Sequence, residues 1–389
     1  MREKKRIYLD NAAATPVRKE VKKAMSGFWD IDFGNAGALH QEGCKAKQAL
    51  TQAREKIAKI LGTSPTELIF NSGGTEANNL AIFGVINQAR QSGLALKKMH
   101  LITTVMEHPS VLSCFEYLKK EGARLDLARI DENGIIDLKQ FKKILCEQTV
   151  LISIMLVNNE IGVIQPISEI VKIIQHFKKN SKSARPILHS DAAQALLYLP
   201  VNIQKLGIDL ISFDSQKIYG PKGAGLLYVK KGVQLAPYLM GGKQEKGLRP
   251  GTENIPAIVG FATALELASQ EREKEFKRLT KLRDYFIAEI LEKIPNAKLN
   301  GDVLRRLPNN VNISLPNIQN EFAVIQLDEQ GIACSTKSAC LTGKHSYVIE
   351  ALEKGRKKTN NALRFTLGRQ TSKKDIEYVI KCLVEICKK

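Results

Sequence analysis

The sequence lacks several features that would assign it to a class of proteins at once. Its seven cysteines are scattered and include no C-x-x-C pair, so neither a disulfide framework nor a zinc site is indicated. The longest apolar runs, such as VLISIMLV at residues 150–157, fall far short of the roughly 20 residues that a membrane span needs. The opening MREKKRIYLDNAAATP has no apolar stretch behind its basic cluster, unlike a secretory signal. We therefore expect reduced thiols, a cytoplasmic location and no membrane partner.

Positive charge is abundant, with a formal net charge of +19. Taken alone, this charge admits nucleic acid, an anionic cofactor or an acidic protein as partner. Much of the excess is lysine spread along helical patterns, as in EREKEFKRLTKLRD at residues 271–284, where acids alternate with bases. Such alternation is typical of a solvated helix face, so we expect no direct binding of nucleic acid.

The length and the apolar pattern predict about two domains. In the first 256 of the 389 residues, short apolar runs alternate with helix-length segments. Strands that are apolar throughout indicate a mainly parallel sheet covered on both faces. These runs are ELIF at 67, HLITTV at 100, VLISIMLV at 150, PILHS at 186, DLISF at 209 and AGLLYV at 224.

Two other segments predict helices and a change of architecture. Residues 40–62 place apolar side chains at three-four spacing and end in glycine, which predicts an amphipathic helix. From about residue 257 a long charged helical stretch is followed by shorter strands such as NNVNISL at 309–315. We therefore expect a second, α+β domain, joined near residues 249–256.

Polar residues follow several of the predicted strands, where ligands bind in parallel sheets. After ELIF, Gly74 and Thr75 precede a helix, and such a loop suits a phosphate, although a plain tight turn is the better interpretation of Gly-Gly-Thr taken alone. After HLITTV comes His108, which is either a core residue or a catalytic one. After VLISIMLV comes Asn159, within a polar group that could also cap the next segment.

Asp191 and Lys217 end two successive buried strands, PILHS and DLISF. Buried charges are costly unless they have a partner or a function, and mutual pairing is one solution. The other is a group that lies between them. Pyridoxal 5'-phosphate needs a carboxylate at its ring nitrogen, a lysine for its aldehyde and a phosphate site at a helix start. All three parts occur here, each at the end of a strand, which favours this cofactor.

A set of motifs resembles, in order, those of the NifS/IscS-like cysteine desulfurases, which are class V pyridoxal-phosphate enzymes of fold type I. The resemblance extends from residue 7 to about residue 380. The motifs are YLDNAAATPV, NSGGTEANNLAI, EHPSVL, LVNNEIGVIQPI, SDAAQ, KIYGPKGAGLLYV, GGKQEKGLRPGTEN, KSAC and LRFTLGR.

The resemblance implies an α/β fold-type I transferase with two domains. The large cofactor-binding domain, residues 15–256, contains a mainly parallel seven-stranded sheet. The small α+β domain combines residues 1–14 with 257–389 and carries the loop of the catalytic cysteine.

The activity that the resemblance implies is conversion of L-cysteine to L-alanine, with transfer of the sulfur to Cys340 as a persulfide. Lys217 then holds the cofactor covalently and moves the Cα proton of the substrate, and His108 stacks on the ring and shuttles protons. Cys340 lies near Lys337 and Lys344, and positive charge lowers the pKa of a thiol. The sulfur is expected to serve iron–sulfur cluster assembly or tRNA thiolation, through a scaffold or acceptor protein.

The resemblance also implies which residues contact the cofactor. Asp191 keeps the ring nitrogen protonated, and Gln194 contacts the phenolic oxygen. Gly74 and Thr75 bind the phosphate, and Thr252 of a second subunit completes that site, which implies a homodimer.

The implied substrate contacts come from two residues outside the cofactor set. Asn159 and Arg364 take the substrate carboxylate, Arg364 in the two-pronged geometry that suits a guanidinium. No metal is implied.

The sequence departs from the resemblance just before the lysine. Where the family usually has Ser-x-His-Lys, this chain has Asp214, Ser215, Gln216 and Lys217. An ionised Asp214 repels a phosphate dianion, so we expect either that Ser215 takes over the phosphate contact or that Asp214 turns away. Gln216 donates a hydrogen bond but carries no charge, so weaker phosphate binding is expected.

Two alternatives to desulfurase activity stay open at the level of sequence. One is a sibling reaction on the same cofactor, such as that of a selenocysteine lyase or a class V aminotransferase. The other is a catalytically degenerate basic chain that acts as a partner protein. Cys334 is also ambiguous, because it fits either a packing residue or a resolving thiol.

Overall fold

The structure is a computed structural model that describes residues 6–181, 183–337, 345–353 and 361–388. Its strands are β1 (Ile7–Tyr8), β2 (Leu68–Asn71), β3 (His100–Thr104), β4 (Arg124–Ala128), β5 (Thr149–Ser153), β6 (Ile187–Asp191), β7 (Leu210–Asp214), β8 (Gly225–Val229), β9 (Lys298–Leu299), β10 (Asn310–Ser314), β11 (Ile332–Ala333) and β12 (Ala362–Thr366). Its α-helices are α1 (Lys19–Ser26), α2 (Gln41–Leu61), α3 (Gly74–Gln91), α4 (Pro109–Lys120), α5 (Leu138–Ile144), α6 (Ile167–Ser181), α7 (Ile203–Leu206), α8 (Ile255–Lys293), α9 (Asn320–Glu329), α10 (Tyr347–Glu353) and α11 (Lys373–Lys388).

A seven-stranded sheet in the order β2-β8-β7-β6-β5-β3-β4 forms the centre of the fold. Its strands run parallel except β8, which is antiparallel to both β7 and β2. The prediction of a mainly parallel sheet is confirmed, and each of the six apolar runs forms one of its strands. Strand β4 was not predicted from the sequence, because this edge strand alternates polar and apolar residues and is partly exposed.

The sheet is covered by helices on both faces, as its uniformly apolar strands require. Successive residues of β7 enter different cores: Leu210 packs with α3 and α4, whereas Ile211 and Phe213 pack with α2 and α8. This alternation follows from the two-residue period of a strand. Helices bury both faces of the sheet, so polar side chains that reach a ligand come from its strand ends.

The helix predicted over residues 40–62 is confirmed as α2. The His40 side chain accepts a hydrogen bond from the Gly43 N–H at its start. Gly62 ends the helix with φ of 66°, a left-handed conformation that glycine adopts without a steric penalty.

The long helix α8 joins the central sheet to a smaller C-terminal region. Near its start, Gly260 approaches Met25 of α1 so closely that an added Cβ would lie 2.6 Å from the sulfur. Near its end, the rings of Phe286 and Phe365 of β12 lie 5.3 Å apart. Within the described part of the chain, no helix is both long and apolar enough to cross a membrane.

The C-terminal region contains the antiparallel sheet β12-β10-β9 and the parallel pair β1-β11. Because Ile7 pairs with Ile332, the N-terminal strand lies with C-terminal residues, in keeping with the predicted division into 15–256 and the rest. The predicted boundary at residue 256 falls in the first turn of α8, so the connection is a continuous helix. The division itself stays a prediction.

Candidate active site

A cavity of about 190 Å³ lies beyond the carboxyl ends of the parallel strands. The end of β6 contributes Asp191, and the turn after β7 contributes Lys217. Its wall is formed by Ala12, Ala13, Gly74, Thr75, Asn78, His108, Ser110, Met155, Val157, Asn159, Asp191, Ala193, Gln194, Asp214, Gln216, Lys217 and Arg364. The structure therefore brings together most of the predicted site residues, from segments that are far apart in the sequence.

Lys217 is held by main-chain oxygens of the N-terminal segment. Its Nζ donates to the carbonyls of Ala12, at 2.8 Å, and of Ala13, at 2.6 Å. Burial lowers the pKa of the Lys217 amine, and the Asp214 carboxylate acts in the opposite direction. A lowered pKa increases the neutral fraction of the amine, which is the form that attacks a carbonyl carbon or accepts a proton.

Asp191 is held by donors other than the lysine. Its Oδ2 accepts from Asn78 Nδ2 at 2.7 Å, and its Oδ1 accepts from the Ala193 N–H at 2.9 Å. No ion pair between Asp191 and Lys217 is found among the described residues. Mutual pairing therefore does not account for these two groups, and both remain directed to the same cavity wall.

His108 is linked to Asp191 through two side chains that the sequence analysis missed. Asn78 Nδ2 donates to Ser110 Oγ at 2.8 Å, and Ser110 Oγ lies 2.8 Å from His108 Nδ1. The Ser110 N–H also donates to His108 Nδ1, at 3.2 Å. Because Nδ1 accepts, a neutral His108 carries its proton on Nε2. Both missed residues lie in the quoted motifs, but spacing along the chain does not show that they meet.

Two further buried titratable groups lie near the strand ends. His189, inside β6, lies between the hydroxyls of Ser153 and Ser212, and burial lowers its pKa to about 3. It is a neutral core residue. Glu107 is fully buried, and burial, with a smaller contribution from the Asp191 carboxylate, raises its pKa to about 8. Glu107 is therefore protonated at neutral pH.

Arg364 reaches the cavity from β12 and is only 1% exposed. Its Nη1 donates to the Asn159 carbonyl at 3.0 Å, and its Nη2 donates to Asp10 Oδ1 at 2.8 Å. Its Nε has no hydrogen-bond partner among the described residues. Asp10 was missed by the sequence analysis, although it lies in the quoted YLDNAAATPV motif. These contacts fix the guanidinium at the edge of the cavity, beside Asn159.

Gln194 and Lys217 meet at one main-chain oxygen. Gln194 Nε2 donates to the Ala12 carbonyl at 3.0 Å, the same oxygen that accepts from Lys217. Gln194 therefore lies near the Lys217 amine, and its contact with the phenolic oxygen stays a prediction.

The predicted phosphate end of the cavity differs from expectation at two residues. Asp214 does not turn away, since its Oδ2 accepts from the Gly74 N–H, at 3.3 Å. Ser215 does not line the cavity, and its Oγ is fully buried without a hydrogen-bond partner among the described residues. It lies so close to Gly220 that a Cβ there would be 2.2 Å from it. Gln216 lines the cavity, as expected.

Thr252 is exposed and does not line the cavity of its own chain. Its loop is nevertheless attached to the phosphate end, because Arg249 Nε donates to Glu76 Oε1 of α3 at 2.9 Å. The predicted contact of Thr252 with a second subunit stays a prediction.

Cys340 lies outside the described residues, but both flanks of its segment contact the candidate site. On one side, Ser335 and Arg364 exchange main-chain hydrogen bonds of 3.1 and 2.6 Å. On the other, Tyr347 OH donates to the Glu107 carbonyl at 2.6 Å.

The other cysteines differ in burial. Cys334 is buried, and burial raises its pKa to about 12, so it is a packing residue rather than a reactive thiol. Cys382 is also buried, whereas Cys146 and Cys387 are half-buried.

A larger cleft of about 770 Å³ adjoins the N-terminal segment but has different chemistry. Its Arg18 and Arg369 both pair with Glu271. Neither His108 nor Asp191 lines this cleft, so the smaller cavity is the candidate active site.

The similarity of this chain to known proteins identifies its family. The family described as aminotransferase class-V matches residues 7–379. The chain belongs to the class-V aminotransferases. This chain resembles "Cysteine desulfurase IscS" of Dictyoglomus turgidum, with 42% identity over 99% of this chain and 95% of the relative. The corresponding protein of Methanosarcina thermophila is 40% identical over 100% of this chain and 93% of its own length.

Solved structures agree with this class-V assignment. One described as "NIFS-LIKE PROTEIN" superposes with a TM-score of 0.90 and 34% identity, covering 98% of this chain and 99% of the other. Another, "SspA in complex with cysteine", has a TM-score of 0.77 and 31% identity, with 93% and 98% covered. The predicted NifS/IscS-like family and fold type I architecture are thereby confirmed.

Proposed function

We propose that this class-V enzyme is a pyridoxal-phosphate-dependent cysteine desulfurase that converts L-cysteine to L-alanine and transfers the sulfur to Cys340. The observation that carries the proposal is the placement of Lys217 and Asp191. They end neighbouring strands, line one cavity and are held by separate partners. The names of the relatives support the same activity.

The residues present fit the cofactor at its aldehyde, its ring nitrogen and its phenolic oxygen, and the start of α3 offers donors to its phosphate, next to the Asp214 carboxylate. Bound pyridoxal phosphate supplies an aldehyde that condenses with amines and a ring that withdraws electrons from the neighbouring carbon. Lys217 is placed for the aldehyde, and its lowered pKa suits that condensation. Asp191, held by two donors, suits the ring nitrogen, and Gln194 suits the phenolic oxygen. Gly74 and Thr75, at the start of α3, with Gln216 nearby, suit the phosphate.

Four residues, Lys217, His108, Arg364 and Asn159, then handle the substrate. The neutral amine of Lys217 takes the Cα proton, because its pKa is lowered and it lies in the cavity wall. His108, with its proton on Nε2, is placed to exchange protons on the same wall. Arg364 binds the substrate carboxylate through its fixed guanidinium, with Asn159 beside it.

Cys340 completes the reaction as the nucleophile. Its thiolate attacks the substrate sulfur, the S–S bond forms as the Cβ–S bond breaks, and Cβ takes a proton to become the methyl group of alanine. Cys340 follows Ser335, which pairs with Arg364, by five positions. Five extended residues reach roughly 17 Å, enough to bring the thiol to the cavity.

The sulfur is then passed on from Cys340. We propose that it passes to an acceptor protein of iron–sulfur cluster assembly or of tRNA thiolation. The name IscS of the relatives favours iron–sulfur cluster assembly. A homodimer with Thr252 of the second subunit at the phosphate end, and a cytoplasmic location, belong to the same proposal.

The test is an assay with purified protein, pyridoxal phosphate and L-cysteine. We expect alanine to form and peptide mass spectrometry to find one added sulfur on Cys340. Cys340→Ala should retain the bound cofactor and lose the persulfide. Cys334→Ala, a matched change at a buried thiol, should retain both. Equal sulfur release from the wild type and Cys340→Ala would refute the nucleophile assignment and favour a lyase that needs no thiol.

A further inference from the structure

We propose that the Asp214 carboxylate occupies the anion site at the N-terminus of α3 and competes there with the phosphate group of the cofactor. The inference rests on the proposed function, because it concerns the same cavity. Through this competition, the charge of Asp214 sets the preference of this chain for pyridoxal phosphate over pyridoxal.

The carboxylate lies directly over the glycines that begin α3. Asp214 Oδ2 accepts from the Gly74 N–H at 3.3 Å. A Cβ added to Gly73 would lie 3.7 Å from this oxygen, and one added to Gly74 would lie 3.4 Å from it. The first N–H groups of a helix have no intrahelical acceptor and carry the positive end of its dipole. Asp214 therefore fills the position where an anionic oxygen is bound.

The donors of Gln216 also point to Asp214. The Gln216 N–H donates to Oδ1 and Gln216 Nε2 donates to Oδ2, each at 3.1 Å. Asp214 is only 7% exposed, so these contacts are largely shielded from water. A phosphate held by Gly74 and Gln216 takes the same three donors.

Asp214 leaves this position only by rotating its side chain. Its main chain pairs with Gly225 in the central sheet, so the backbone is fixed. A carboxylate and a phosphate only accept hydrogen bonds when ionised, and two anions close together repel. Binding of the phosphate must therefore displace the carboxylate from Gly74 and Gln216 and hold it near a second anion.

The matched change is Asp214→Asn, which keeps the shape and one acceptor oxygen but removes the charge. We expect it to tighten binding of pyridoxal phosphate at least about tenfold, or about 1.4 kcal/mol. Binding of pyridoxal, which has no phosphate, should change less than about twofold. Asp209→Asn is the control, because Asp209 is a buried acid just before the opposite end of β7, where it pairs with Lys178 and Lys230.

Dissociation constants are measured by equilibrium dialysis of cofactor-free protein against pyridoxal phosphate and pyridoxal. Tighter phosphate-specific binding in Asp214→Asn, with no change in Asp209→Asn, supports the proposal. Unchanged or weaker binding, or equal changes for both compounds, overturns it. If Asp214→Asn does not fold, the wild type decides: a preference for the phosphorylated form below about tenfold supports competition, and a larger preference overturns it.

Failure of the proposed function is distinguishable from failure of this inference. If neither compound bonds to Lys217 in any variant, both are overturned. If both bond to Lys217 but Asp214→Asn changes nothing, only the competition is wrong.

Discussion

Glu107 should make the folded protein less stable as the pH rises, and Glu107→Gln should remove this effect. The carboxyl is fully buried, and its Oε1 accepts from Thr104 Oγ1 at 3.0 Å and from the Met155 N–H at 2.9 Å. Burial raises its pKa to about 8, from an ordinary value of 4.5. Between these values the unfolded chain is ionised while the folded chain keeps its proton, so the folded state binds more protons and loses stability as the pH rises.

The magnitude follows from the size of this window. Within it, each pH unit changes the free energy of unfolding by about 1.4 kcal/mol. From about pH 5.5 to about pH 7.5 the wild type should therefore lose about 3 kcal/mol through this group. A glutamine keeps an oxygen for Thr104 and Met155 and does not titrate. The unfolding free energies of the two proteins should be similar at the acid end and diverge with rising pH, in favour of Glu107→Gln.

Urea unfolding of both proteins over this pH range, followed by circular dichroism, measures the divergence. Glu116→Gln, on the exposed side of α4, is the control and should unfold within about 0.5 kcal/mol of the wild type. Parallel pH profiles for the wild type and Glu107→Gln would refute the reasoning, since they would mean that Glu107 ionises equally in the folded and unfolded states.

Two other substitutions test the cavity. Arg364→Lys should raise the KM for L-cysteine about tenfold or more, because lysine cannot reproduce the planar fork that contacts Asn159 and Asp10; an unchanged KM in the alanine assay would exclude Arg364 from substrate binding. Asn78→Ala should weaken binding of pyridoxal phosphate about tenfold, because Asp191 Oδ2 and Ser110 both lose their donor; dialysis that gives the wild-type dissociation constant would show that this network does not position Asp191.

Much of the sheet could be predicted from the sequence, because its strands are buried on both faces and therefore appear as uninterrupted apolar runs. The edge strand β4 could not be predicted, because it is partly exposed and its polar residues interrupt the apolar run. The same rule placed Asp191 and Lys217 at strand ends, where the fold brings them to one cavity.

Orientation was harder to predict than proximity. Asn78 lies on α3 and Ser110 on α4, and no spacing rule shows that two polar residues on different helices meet. The choice between Asp214 and Ser215 also depended on which side of the turn faces Gly74. The N–H groups at the start of α3 attract the carboxylate, whereas the Ser215 hydroxyl packs against Gly220.

Borohydride trapping of the bound cofactor, followed by peptide mass spectrometry, tests the central claim most directly. The account predicts one phosphopyridoxyl group, on the peptide that contains Lys217. Lys222→Ala, which removes an exposed lysine five residues away, should leave that label unchanged, and Lys217→Arg should abolish it. A label on another lysine in the wild type, or an undiminished label in Lys217→Arg, would contradict the account.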